Sequence, residues 1–90
     1  WEKVVMIMDK VLVKLYVPII EEQYDVWLPL NQKVYNIINL LMKAIYEITG
    51  GYYKPSKIPI LYDKLTGMPY DINLSIKNCN MRNGAEIILI

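Results

Sequence analysis

Asn83-Gly84-Ala85-Glu86-Ile87-Ile88-Leu89-Ile90 is the stretch on which the fold turns. Asn-Gly is a turn signal, and the four consecutive apolar residues from Ile87 to Ile90 suit a strand with neighbours on both sides rather than one at a sheet edge. The strand is expected over Glu86–Ile90, paired beside the first strand of the chain. Alternation along it assigns Ile87 and Leu89 to the core and Ile88 and Ile90 to the opposite face. Just upstream, Ile60-Leu61-Tyr62 reads as a short strand and Lys64-Leu65-Thr66-Gly67 as a turn, followed by a weaker strand or bend around Tyr70 to Leu74.

The first strand is expected from Lys10 to Pro18, where Val11, Val13, Leu15 and Val17 alternate with Leu12, Lys14 and Tyr16. After an acidic tip, Glu21-Glu22-Gln23, the run Tyr24-Asp25-Val26-Trp27-Leu28 alternates again, so the two form a hairpin. Pro29 ends the second strand, and Asn31 is the expected N-cap of a helix. From Lys33 to Thr49 the apolar residues Val34, Ile37, Ile38, Leu41, Ile45 and Ile48 recur at the spacing of one helix face, and Gly50 supplies the stop. Such a helix is about 24 Å long and can lie across a small sheet. A hairpin, one long helix, short strands and a terminal strand make an α+β domain. Residues 10–90 carry this pattern. Residues 1–9 stand outside it as an N-terminal extension, either an extra strand or unordered.

With 54% hydrophobic residues against 21% charged, this 90-residue chain has apolar side chains left over after one core is filled, which points to a partner surface. Ten Lys and Arg against nine Asp and Glu leave a net charge of +1 and no electrostatic pull toward nucleic acid or an anionic membrane. Val4-Val5-Met6-Ile7-Met8 is too short to span a bilayer, so no direct membrane insertion is expected. The single Cys79 cannot form an internal bridge and suits a reducing compartment, so the expected location is cytoplasmic. There is no histidine, the commonest general base and metal ligand. Cys79, between two asparagines, has no catalytic partner in sequence, and Glu21, Glu22 and Asp25 read as a solvated charge run rather than a metal site. No cofactor, metal site or enzymatic activity is expected.

The hairpin Val11–Leu28, the helix Val34–Ile48 and the closing block with Leu74-Ser75 and Asn83-Gly84 together resemble a ubiquitin-like β-grasp domain. The resemblance implies a mixed four- to five-stranded sheet packed on one long helix, about residues 33–49. Within that superfamily the length, the Asn-Gly before the last strand and the finish on that strand look most like the YukD/EsaB family of small bacterial ubiquitin-like proteins. That resemblance implies a cytoplasmic accessory or regulatory role in type VII secretion, with protein partners drawn from that machinery. A generic β-grasp adaptor of another complex is the alternative, and an RNA-binding domain a more distant one. Ubiquitin conjugation uses a flexible terminal Gly-Gly, whereas the last residue here is Ile90, so conjugation to targets is not expected.

Strand alternation collects Leu12, Trp27, Leu61, Ile88 and Ile90 on the sheet face away from the helix. In ubiquitin-like proteins that face is the usual recognition surface, so these five residues are the expected protein-interaction patch. Val4, Val5, Met6, Ile7 and Met8 extend the first strand beyond its hairpin partner as an apolar edge, and edges invite pairing, so this segment is expected to support a homodimer.

Overall fold

In the computed structural model, which describes residues 9–90, the sheet contains β1 (Lys10–Val17), β2 (Glu22–Pro29), β3 (Leu61–Asp63) and β4 (Ala85–Leu89) in the order β2-β1-β4-β3, and one helix, α1 (Val34–Ile48), packs on it. β1 and β2 are antiparallel, β4 runs parallel to β1, and β3 is antiparallel to β4. This mixed sheet on a single helix is the ubiquitin-like β-grasp fold that the sequence led us to expect. The Val4–Met8 segment assigned to dimerisation lies outside the described residues.

The hairpin is tighter than its acidic run suggested. Pro18–Ile20 form one 3-10 turn, and Glu21 closes it in the left-handed region at φ 53°, donating its N–H to the Pro18 carbonyl at 3.0 Å. Glu22 and Gln23 are therefore not a tip; they pair with Val17 and Tyr16.

Inward side chains alternate as the two-residue period requires. Val11, Val13, Leu15 and Val17 of β1, with Ile87 and Leu89 of β4, are buried against Val34, Ile37, Ile38, Leu41 and Ile45 of α1. Each such burial contributes about 1.5–3 kcal/mol before chain entropy is subtracted. β4 lies between β1 and β3; its Ile87 and Leu89 are buried, Glu86 is exposed on the outer face, and Ile88 is partly covered there.

Two helix-end expectations are corrected. Asn31 is not the N-cap: the helix begins after Lys33, and no side chain caps it. The first free N–H groups are met instead by backbone carbonyls from the irregular stretch that follows β3, Val34 donating to Leu74 at 2.9 Å and Tyr35 to Ile72 at 3.2 Å. The Tyr70 to Leu74 stretch is thus a bend that caps α1, not a strand. At the other end Thr49 donates its hydroxyl to the Ile45 carbonyl at 2.8 Å, and Gly50 (φ 64°) and Gly51 (φ 88°) take the left-handed turn that ends the helix. Ile48, the last helical residue, is 67% exposed. It borders a cleft with Ile20 and Tyr24 and does not enter the core.

Candidate protein-interaction surface

The register across the sheet determines which side chains share the outer face. Leu12 pairs with Trp27 between β1 and β2; Lys14 pairs with Asp25 on one side and Glu86 on the other; Tyr16 pairs with Gln23 and with Ile88, and Ile88 in turn with Tyr62. Cross-strand partners point to the same side, so three rows lie across the sheet. The first is Trp27–Leu12, the second Asp25–Lys14–Glu86, the third Gln23–Tyr16–Ile88–Tyr62.

Of the five residues expected on this face, Leu61 is misplaced. It pairs with Leu89, is 1% exposed and belongs to the core; Tyr62 occupies the outer position. β3 is only three residues long, and a shift of one residue moves a side chain to the opposite face. The other four are placed outward: Trp27 is 59% exposed, Ile90 is 61% exposed, and Leu12 and Ile88 are partly covered by their neighbours. They do not make one continuous patch. The second row continues onto Lys64, whose backbone N–H donates to the Glu86 carbonyl at 3.0 Å and whose Nζ lies 3.6 Å from Glu86 Oε1. A charged row, Asp25–Lys14–Glu86–Lys64, therefore separates Trp27 and Leu12 from Tyr16, Ile88 and Tyr62.

Ile90 belongs to a second feature that the sequence did not single out. Ile60 and Ile90 exchange both backbone hydrogen bonds, at 2.8 and 3.0 Å, which extends the β3–β4 ladder by one pair. Ile58 and Ile60 project from either side of buried Pro59 as an apolar ridge. On one flank lies a groove of about 320 Å³ lined by Ile19, Tyr53, Pro55, Leu89 and Ile90; on the other, one of about 280 Å³ lined by Tyr35, Ile38 and Ile72. Ile19, Ile58 and Ile60 are exposed, at 64%, 72% and 46%. The signal available in the sequence was the pair of isoleucines flanking a proline in a loop otherwise made of polar, proline and tyrosine residues.

Among the described residues the titratable groups with shifted pKa values are Tyr53, Tyr70 and Cys79, and all three are raised by burial. Cys79 is partly buried, and that burial, followed by the neighbouring Asp71, pushes its thiol up, away from the thiolate a nucleophile requires. Tyr70 is pushed up to about 12, first by burial and then by Asp63 and Cys79, so it stays a neutral phenol at working pH. Among the described residues no group of three or more His, Cys, Asp or Glu could hold a metal ion, and no helix is long and apolar enough to cross a membrane. The Asp63 carboxylate is occupied locally, accepting from the Leu65 N–H and the Thr66 hydroxyl in the turn after β3.

The raised Tyr70 has a stability consequence whose sign is definite. Between its unfolded value near 10 and about 12, the folded state holds a proton that the unfolded chain has lost, so stability falls as pH rises through that window. Thermal melts from pH 9 to 12 are expected to show a shallower alkaline decline for Tyr70→Phe than for the wild type; equal slopes would show that the phenol is not the group responsible.

Similar solved structures share the whole architecture. The ubiquitin-like domain of EccD5 from Mycobacterium xenopi matches with a TM-score of 0.75 at 19% identity, over 91% of this chain and 93% of that one. The ubiquitin-like domain of the Mycobacterium tuberculosis type VII secretion system protein EccD1 matches with a TM-score of 0.72 at 14% identity, over 92% and 99%. A chain of the MycP5-free ESX-5 inner membrane complex matches with a TM-score of 0.75 at 17% identity, and there 90% of this chain corresponds to 20% of the larger one. At such identities the likeness shows the ubiquitin-like fold alone. No protein-family model and no curated protein matches the chain.

Proposed function

We propose that this chain is a non-catalytic ubiquitin-like interaction module, acting as a cytoplasmic accessory or regulatory factor of a bacterial type VII secretion system in the manner of the YukD/EsaB family. The observation that carries the interaction role is the Ile58-Pro59-Ile60 ridge with Ile19 and Ile90. These are large apolar side chains held at fixed positions around a groove, and such exposed clusters mark docking sites. Support for the secretion assignment comes from the same fold in EccD ubiquitin-like domains and in a chain of the ESX-5 membrane complex. A fold hosts many functions, so that support is by analogy. A generic β-grasp adaptor would use the same groove. RNA binding is disfavoured because Asp25 and Glu86 alternate with Lys14 and Lys64 across the sheet face where bases would stack.

Affinity capture from the extract of a type VII-bearing bacterium, read by mass spectrometry, tests both parts. The wild type is expected to retain type VII components, and the double variant Ile19→Asp, Ile58→Asp to lose them by about tenfold or more. Both side chains are exposed, so the circular dichroism spectrum should not change. Equal retention by the variant would remove the groove from the interface. A wild type that captures only components of some other assembly would favour the adaptor reading.

A further inference from the structure

The charged row on the outer sheet face has a symmetry that a solvated surface does not require. Reading across the strands from β2 to β3, Asp25, Lys14, Glu86 and Lys64 alternate in sign at one level of the sheet. Neighbouring strands lie about 4.8 Å apart, so the four charges form a ladder roughly 14 Å long. Reversed end for end, the ladder is its own complement: negative, positive, negative, positive becomes positive, negative, positive, negative.

We propose that this face docks the same face of a second copy of the chain, about a two-fold axis parallel to the strands and midway between β1 and β4. That operation places Asp25 opposite Lys64 of the second copy and Lys14 opposite Glu86 of the second copy, with each contact made twice, as an isologous interface requires. The two-fold axis perpendicular to the strands is excluded because it would set each charge on itself. In the row above, the chosen axis brings Tyr16 against Ile88 of the second copy, an aromatic ring on a β-branched side chain. In the row below, Leu12 faces Gly84 of the second copy, a position where an added Cβ would meet nothing within 4 Å and where there is room for the leucine. The two sheets then pack face to face in the aligned arrangement.

The choice of occupant follows from the charges. An anionic polymer or membrane would favour a face of one sign, and an unrelated protein would need a matching alternating row, whereas a second copy carries one by construction. The ladder supplies register and specificity more than affinity, since exposed ion pairs contribute little and the sense of each contact decides between partners. Affinity comes from Tyr16, Ile88, Leu12 and Trp27. A face four strands wide and about five residues long measures roughly 19 by 17 Å. That is about 320 Å² per copy, below the range of stable specific interfaces, so the dimer is a weak, transient one that forms at high micromolar rather than nanomolar concentration. The proposal is independent of the groove formed by Ile19, Ile58, Ile60 and Ile90, and it does not use residues 4–8.

Sedimentation equilibrium up to millimolar protein tests it with two charge reversals. The wild type is expected to show reversible dimerisation. Lys14→Glu sets a carboxylate against Glu86 of the second copy, and Glu86→Lys sets an ammonium group against Lys14 of the second copy, each clash occurring twice in the dimer, so each variant alone should self-associate at least about tenfold more weakly. Mixed in equal amounts, the two variants restore opposite signs at all four positions and should form a heterodimer at near wild-type strength. A wild type that stays monomeric at millimolar concentration, a single reversal that dimerises undiminished, or a mixture that fails to associate would each overturn the proposal. Both positions are exposed, and an unchanged circular dichroism spectrum separates loss of association from loss of fold. None of these outcomes bears on groove-dependent capture, so the two ideas fail separately.

Discussion

Leu61→Ala is expected to destabilise the protein by about 2–5 kcal/mol, whereas Tyr62→Ala, one residue along, should cost below about 1 kcal/mol. Leu61 is fully buried, pairs with Leu89, and closes the β3 end of the core against residues contributed by β4 and α1. Truncating it removes its transfer free energy and leaves a cavity that a three-residue strand, anchored by few hydrogen bonds, repairs only in part. Tyr62 faces outward beside Ile88, where truncation loses contact area but opens no void. Urea unfolding of the two variants makes the comparison, and a similar loss for both would contradict the register. The result matters for function as well. A charged residue at position 61 would unfold the domain and mimic a binding defect, while the same residue at position 62 tests the surface itself.

The difference between those neighbours shows where sequence reading loses its grip. β1, β2 and β4 are long enough for period-two alternation to decide the face of every residue, and α1 carries five buried apolar residues at helical spacing. Those elements and their order were legible. β3 has only three residues, Leu61, Tyr62 and Asp63, so its facing is set by register against β4 and not by any pattern of its own. The helix start was misjudged for a related reason: the groups that satisfy Val34 and Tyr35 are carbonyls of Leu74 and Ile72, nearly forty residues distant in the chain, and a local capping signal at Asn31 has no bearing on them.

The candidate surfaces divide along the same line. Trp27, Leu12, Ile88 and Ile90 could be placed outward from alternation alone. That Asp25, Lys14, Glu86 and Lys64 form one row could not, because they come from four segments whose alignment depends on a hairpin register, a parallel crossover and a terminal antiparallel pair. The Ile58–Ile60 ridge left only the pair of isoleucines around Pro59 as its signal, since a loop has no period to betray which side chains it will leave in solvent.

Tyr53→Ala is expected to cost about 3–5 kcal/mol, while Tyr53→Phe should stay within about 0.5 kcal/mol. Tyr53 is the largest fully buried side chain, and it is supplied by the loop that leaves α1, not by a strand or helix. The chain is held there by a relay: Thr49 donates its hydroxyl to the Ile45 carbonyl and accepts the Tyr53 N–H at 2.9 Å, fixing the exit path so that the ring enters the core. Burial raises the phenol's pKa, and the hydrogen bonds among the described residues use Tyr53 through its backbone N–H and not its hydroxyl, so replacing the hydroxyl by hydrogen strands no group there. Removing the ring is a different matter, because it also lines the groove beneath Ile58 and Ile60. Tyr53→Ala should therefore lower the denaturant midpoint sharply and, under conditions where the variant is still folded, weaken partner capture. A variant that keeps wild-type stability would show that the loop does not anchor the core. A destabilised variant that captures partners at wild-type strength would separate the groove floor from the binding surface.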